Sequence, residues 1–240
     1  MRQPDFHYHG PVVVFDIDDT LIRERVFCRA GFRYVADRIR QLCGDSPDSL
    51  YEAMDNALTA RDNPFSAMER ELAEAGISLP EDWDSRRIID DYRGHCPENI
   101  DCAEGVTELL ETLSAAGIHC CIISDGRSVT QRNKLKSANL ERFFHPDDIY
   151  ISEEQGCDKQ SADSFRAIVR QYPEASRFIY IGDNVEKDFF HPNILGWISV
   201  MTVPDADNVH LPAQPASEFH APKFRLTNVK QLLDICQIPG

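Results

Sequence analysis

A Rossmann-like α/β fold, a doubly wound parallel sheet in three α/β/α layers carrying an inserted α-helical domain, is predicted for this 240-residue chain by three observations. Short, continuous β-branched runs alternate with stretches of helical period, the pattern of parallel strands joined by crossover helices. Polar residues follow directly on the strand runs, where such sheets hold their ligands. Between residues 21 and 97 the alternation stops, and only helical patterning remains.

The elements follow in order. Residues 12–17 (VVVFDI) read as a strand buried on both faces. Residues 25–43 carry an apolar stripe of Val26, Phe27, Ala30, Tyr34, Val35 and Ile39 at helical spacing. Helices are predicted over 50–58 and 65–75, separated by Asp62-Asn63-Pro64, with Gly76 stopping the second and another helix over 83–92. After Pro97, residues 105–116 form an amphipathic helix through Val106, Leu109, Leu110 and Leu113, closed by Gly117. Strands are expected at 118–124, 148–152, 177–182, 197–202 and 224–226, and helices at 129–140, 161–172 and 229–236. Residues 204–222, with their four prolines, read as a long irregular loop. The expected division is a core of 1–22 with 97–240 and a helical domain of 23–96.

Charge and cysteine usage bound the partners. Aspartate and glutamate outnumber lysine and arginine 40 to 25, a formal charge of −15. Such a surface repels phosphate backbones and anionic headgroups, so neither nucleic acid nor a membrane is the expected partner. A locally positive pocket could still take a small anion. No run is long and apolar enough to cross a bilayer, and the first ten residues lack the apolar stretch of an export signal. The eight cysteines include no C-x-x-C pair, so reduced thiols in a cytoplasmic protein are expected rather than disulfides or zinc. Adjacent Cys120 and Cys121 fall on opposite faces of one strand. His7 and His9 are expected in solvent, His119 in the core, and His210 and His220 in the proline-rich loop. A monomer or homodimer is expected.

The reactive residues gather at strand ends. The first strand ends in Asp16-Ile17-Asp18-Asp19-Thr20, and the second in Ser124-Asp125-Gly126. Lys159 follows the third, and the fourth ends in Gly182-Asp183-Asn184 with Asp188 beyond. Converging carboxylates are costly without a cation, and oxygen ligands favour magnesium over zinc. A lysine and a serine hydroxyl beside that cation suit a phosphoryl group. Asp19 reads as a turn residue and Thr20 as a local hydrogen-bonding residue that orients the loop.

In this order, Asp16-x-Asp18-x-Thr20, Ser124, Lys159 and Gly182-Asp183-x-x-x-x-Asp188 resemble the four motifs of the haloacid dehalogenase superfamily of hydrolases. The resemblance covers the chain outside the insert, which resembles that superfamily's helical cap. It implies Asp16 as a nucleophile forming an aspartyl phosphate, and Asp18 as the acid for the leaving oxygen and then the base for water. It implies Mg2+ held by Asp16, the Asp18 carbonyl and Asp183, with Asp188 and Asn184 supporting directly or from behind. Ser124 and the amides of Asp125 and Gly126 would hold phosphoryl oxygens, and Lys159 would neutralise the nucleophile and the transferred group. One departure is Gln160, where the family usually has proline after the lysine.

Within that superfamily, Asp18 favours phosphoester hydrolysis over carbon–halogen cleavage, which needs no acid there. The absence of lysine between Leu21 and Pro97 argues against phosphonate cleavage through a Schiff base. The expectation is a magnesium-dependent phosphatase for a small phosphorylated metabolite, a sugar phosphate or nucleotide. An intramolecular phosphomutase and a non-catalytic binding protein of the same fold are the alternatives. The insert carries arginines instead of lysines, mostly as ordinary helix-surface charge. Arg25 and Arg29, near the expected hinge at 21–23, are the candidates for contacting a second anionic group of the substrate.

Overall fold

Six short strands, all parallel, form one sheet in the order β3-β2-β1-β4-β5-β6. They are β1 (Pro11–Phe15), β2 (His119–Ser124), β3 (Ile149–Ile151), β4 (Arg177–Gly182), β5 (Ile198–Thr202) and β6 (Phe224–Leu226). The computed structural model describes residues 3–202, 208–209 and 213–237. The chain divides into two units, Met1–Arg23 with Asn99–Gly240, and Glu24–Glu98. No helix among the described residues is long and apolar enough to cross a membrane.

The helices of the Glu24–Glu98 unit are α1 (Glu24–Cys43), α2 (Leu50–Ala60), α3 (Pro64–Glu74) and α4 (Ser85–Gly94). The sheet unit contributes α5 (Val106–Ala115), α6 (Ser128–Ser137), α7 (Ser152–Gln155), α8 (Asp163–Gln171), α9 (Phe190–Ile194) and α10 (Leu232–Cys236).

Strand periodicity sorts the core of the sheet unit into two layers. Val13 and Phe15 join Cys120, Ile122, Ile179, Leu109 and Leu113 on one face. Val12 and Val14 join Cys121, Tyr180, Phe165 and Tyr172 on the other. Burial on both faces is why β1 is apolar throughout, and it puts Cys120 and Cys121 back to back. The eight cysteines form no disulfide. The strand order reverses between β1 and β4, which opens a crevice at their carboxyl ends.

The helical unit closes on its own core of Phe32, Val35, Ile39, Leu50, Met54, Met68, Leu72 and Ile88. Its punctuation is local. Asn63 caps α3, its Oδ1 accepting from the Phe65 amide at 2.9 Å with Pro64 in the first turn. Asp84 caps α4 through the Arg87 amide at 2.8 Å, so that helix starts at Ser85 and Trp83 lies outside it. Trp83 is flanked instead by the guanidinium groups of Arg38 and Arg87, 4.7 and 5.1 Å from its ring.

Several expectations are corrected. The buried side of α1 is Phe27, Gly31, Phe32, Val35 and Ile39, while Val26 is 37% exposed. Gly31 belongs to that side because a Cβ there would lie 2.2 Å from the Tyr92 ring. α7 and α9, of 4 and 5 residues, are too short to show a period and were not expected. The closing helix is a 3-10 turn, Val229–Gln231, followed by α10. His119 is half-buried rather than a core residue, its ring 4.2 Å from that of Tyr8 and 3.7 Å from Asp5. Of the predicted proline-rich loop, residues 208–209 and 213–222 are described, with a 3-10 turn at Glu218–His220. His210 lies outside the described residues.

Candidate active site

The end of β1 sets the geometry. The Asp16 amide donates to the Ile181 carbonyl at 2.9 Å, so pairing with β4 continues to the first carboxylate. The chain then turns sharply, the Ile17 carbonyl accepting from the amides of Leu21 at 2.9 Å and Ile22 at 3.0 Å. Asp19 takes the left-handed conformation the turn demands, φ 51°, and its Oδ2 accepts from the Val209 amide at 2.8 Å. This turn is why Asp16 and Asp18, two residues apart, both serve one site. The Thr20 hydroxyl is buried without a hydrogen-bond partner among the described residues, contrary to the local bond expected of it.

Asp16, Asp183 and Asp188 converge, offering carboxylate oxygens within 4.8 Å of one another. Lys159 Nζ lies 2.6 Å from Asp16 Oδ1 and 2.8 Å from Asp188 Oδ1. Asp188, fully buried, also accepts from the Tyr180 hydroxyl at 2.9 Å and from the amides of Asp183 and Asn184 at 3.1 and 2.8 Å. Its approach requires glycine at 182, where a Cβ would sit 2.4 Å from Asp188 Oδ2. Asp188 is thereby saturated by donors. Asp183 Oδ2, by contrast, is buried with no partner among the described residues.

Three buried carboxylates against one ammonium leave excess negative charge, and proton affinities follow it. Burial pushes Asp16 up to about 7, with repulsion from Asp188 and Asp18 adding to it and Lys159 opposing. Asp183 is pushed up to about 9 by burial and then by Asp188, Asp16 and Asp19. Burial works against the charge of Lys159, but Asp16 and Asp188 outweigh it and hold the ammonium well above its ordinary value. A divalent cation bound by oxygens would satisfy the orphaned Asp183 oxygen and cancel the excess charge, so the donor set fits magnesium.

The second strand end faces the same crevice. Ser124 is buried, and its hydroxyl accepts from Gln131 Nε2 at 2.7 Å. Gln131 Nε2 is also 2.9 Å from Asp18 Oδ2, and Lys134 Nζ is ion-paired with Asp18 Oδ1. Asp125 Oδ1 accepts from the Lys159 amide at 2.9 Å, which ties the lysine loop to the serine loop. The Gly126 amide donates to Ser152 Oγ at 2.9 Å. Glu153 accepts from the Ser128 amide at 2.8 Å, and Glu154 takes both arms of Arg132 at 2.6 and 2.7 Å. These bonds latch α7 onto the start of α6.

Gln131 and Lys134 escaped sequence reasoning because polar helix residues are read as solvent-facing. The available signal was the lack of an apolar stripe on α6, whose buried residues are Gln131, Lys134, Leu135 and Ser137. Arg25 and Arg29 have partners inside their own unit. Arg25 donates to Thr59 Oγ1 at 3.2 Å, and Arg29 grips Asp55 with two bonds of 2.9 Å. A fork closed on a carboxylate in this way ties two helices together.

Comparison with known proteins places the chain in a family. The family model described as hydrolase, haloacid dehalogenase-like hydrolase, matches residues 11–189. The glyceraldehyde 3-phosphate phosphatase of Methanopyrus kandleri is 23% identical over 232 residues, covering 82% of this chain and 97% of that protein. The ribulose-1,5-bisphosphate 5-phosphatase of Halopiger xanaduensis is 25% identical over 207 residues, 82% of this chain and 86% of the relative. Among solved structures, the hydrolase YfnB of Bacillus subtilis bound to magnesium superposes with a TM-score of 0.63 at 20% identity, covering 96% of this chain and all of that one. The chain belongs to the haloacid dehalogenase-like hydrolases.

Proposed function

For a member of the haloacid dehalogenase-like hydrolases, we propose a magnesium-dependent phosphatase that hydrolyses a small phosphorylated metabolite through a covalent phosphate on Asp16. The observation that carries this reading is the buried arrangement around Lys159, which holds Asp16 at 2.6 Å beside the unpartnered Asp183 oxygen. Relatives named for glyceraldehyde 3-phosphate and ribulose-1,5-bisphosphate favour a sugar phosphate over a nucleotide.

The roles follow from chemistry. Asp16 attacks phosphorus as the ester P–O bond breaks, and Asp18 gives the leaving oxygen its proton. Asp18 then takes a proton from water as water displaces phosphate from Asp16. Lys159 opposes protonation of Asp16 and balances charge on the transferred group. Ser124 and the Asp125 amide receive phosphoryl oxygens. Asp16, the Asp18 carbonyl and Asp183 would hold Mg2+, with Asp188 bracing from behind because its oxygens are filled. When bound, the ion supplies positive charge to the phosphoryl oxygens.

These groups address only the phosphoryl end of a substrate. Selection of the rest falls to the helical unit Glu24–Glu98, a specificity cap in this reading, inserted between β1 and β2.

The test is phosphate release from a panel of sugar phosphates, nucleotides and one aryl phosphate, with and without magnesium. Wild type should release phosphate only with the ion, and Asp16→Asn should lose about a thousandfold or more of it. Release that survives in Asp16→Asn, or needs no ion, would refute the reading. Conversion of one phosphate ester into an isomer without release would point to a mutase.

A further inference from the structure

We propose that Gln131 and Lys134 are positioning residues that aim Asp18 and Ser124 together, so that α6, and not the strand ends alone, sets the acid–base geometry. This inference rests on the phosphatase reading above.

The two side chains are three residues apart on one helix, hence on one face. Both are buried, at 2% and 3% exposure. A lysine on an ordinary helix extends its ammonium to water. Lys134 instead turns inward and ion-pairs with Asp18 Oδ1. Gln131 contacts Asp18 Oδ2 at 2.9 Å and Ser124 Oγ at 2.7 Å with the same amide nitrogen. The amide nitrogen faces both partners, and its two hydrogens serve the Asp18 and Ser124 oxygens that accept them. Gly126 leaves Gln131 its room. At φ 140° a side chain is strained there, and a Cβ would lie 3.2 Å from the Gln131 amide carbon.

Two consequences follow. Because Ser124 Oγ accepts from Gln131, its own hydroxyl hydrogen is left to point at a phosphoryl oxygen. Because Asp18 is gripped at both oxygens, its direction is fixed, while two of its roughly four lone-pair sites stay open for proton transfer. The acid–base cycle uses Asp18 twice. In the first step the ester P–O bond breaks, the Asp16–P bond forms and the proton of Asp18 goes to the leaving oxygen. In the second, water attacks phosphorus, the Asp16–P bond breaks and the water proton returns to Asp18. A leaving group that departs as a stable anion, such as p-nitrophenolate, needs no proton in the first step. The second always needs Asp18 as the base that takes the proton of the attacking water.

Gln131→Leu and Lys134→Met therefore separate the two steps. With p-nitrophenyl phosphate and magnesium, each variant should turn over about 10- to 100-fold more slowly than wild type, within the range a positioned acid–base contributes. Quenched samples analysed by peptide mass should show phosphate accumulated on Asp16 in the variants and little in wild type. Gln131→Leu alone should also raise KM severalfold, since only Gln131 orients Ser124. If either variant fails to fold, Gln131→Asn or Lys134→Arg takes its place, with the same direction and smaller size. Variants with wild-type kcat and KM would overturn the proposal. So would slow variants without phosphate on Asp16, which is what a merely structural defect produces. A wild type that neither releases phosphate nor carries it on Asp16 would fail the phosphatase reading itself.

Discussion

The two units of this chain handle charge in opposite ways. In the helical unit, ion pairs such as Arg29 with Asp55 and Arg38 with Asp91 lie partly in solvent, each at 2.9 Å. The interior beneath them is apolar. In the sheet unit the charges are buried and unequal, with Asp16 and Asp188 sharing Lys159 and one oxygen of the neighbouring Asp183 left unpartnered among the described residues. The first arrangement serves shape. The second costs stability unless something outside the chain completes it, and that deficit marks the candidate site.

The largest expected effect comes from deepening the imbalance. Lys159→Met strands Asp16 and Asp188, and the metal-free protein should lose about 3–5 kcal/mol in urea unfolding, the usual cost of breaking a buried pair. Magnesium should recover part of it. A loss under 1 kcal/mol would mean that the carboxylates share protons freely and the contrast between the units is weaker than drawn.

A second effect comes from pH. Asp16 and Asp183 are raised in the folded state, to about 7 and about 9. Groups raised on folding bind more protons in the native than in the unfolded chain between the two values. Their contribution is fully present below the unfolded value near 4 and is lost as pH rises through the folded ones. The Tm of the chelated protein should therefore fall by several degrees between pH 5 and pH 9. Saturating magnesium should flatten that fall, because the ion takes the place of the protons. A chelated Tm that rises over this interval would contradict the assignment.

The smallest effect belongs to the helical unit. Arg29→Ala removes a pair in which the arginine is 35% exposed, so the loss should be at most about 1 kcal/mol. KM for the best substrate of the panel should stay within about twofold if the arginine is only a tie between α1 and α2. A large rise in KM would restore it as a substrate contact and blur the comparison.

The sequence carries the fold well where pattern and burial coincide. β4 occupies the expected residues because its apolar run is continuous and too short for a buried helix, β6 falls at the expected residues with only Leu226 buried, and the stripe of α5 is buried as its period requires. The stripe of α1 shifts because Gly31 faces inward against Tyr92, a packing detail no periodicity encodes. At the site, the strand-end residues Asp16, Ser124, Lys159, Asp183 and Asp188 stand together because parallel strands share one carboxyl end. Gln131 and Lys134 were hidden, since nothing in a polar helix sequence says that its polar face turns inward. The closure of Arg29 on Asp55 was hidden too, because a pair 26 residues apart depends on how two helices meet.

The central claim is that the unpartnered carboxylate of the sheet unit is completed by a divalent ion. Calorimetric titration of magnesium into wild type and Asp183→Asn tests it most directly. The account predicts one ion per chain for wild type, with proton release that grows as pH falls, and binding weakened at least about tenfold in the variant. Equal binding by both proteins, or none by the wild type, would contradict it.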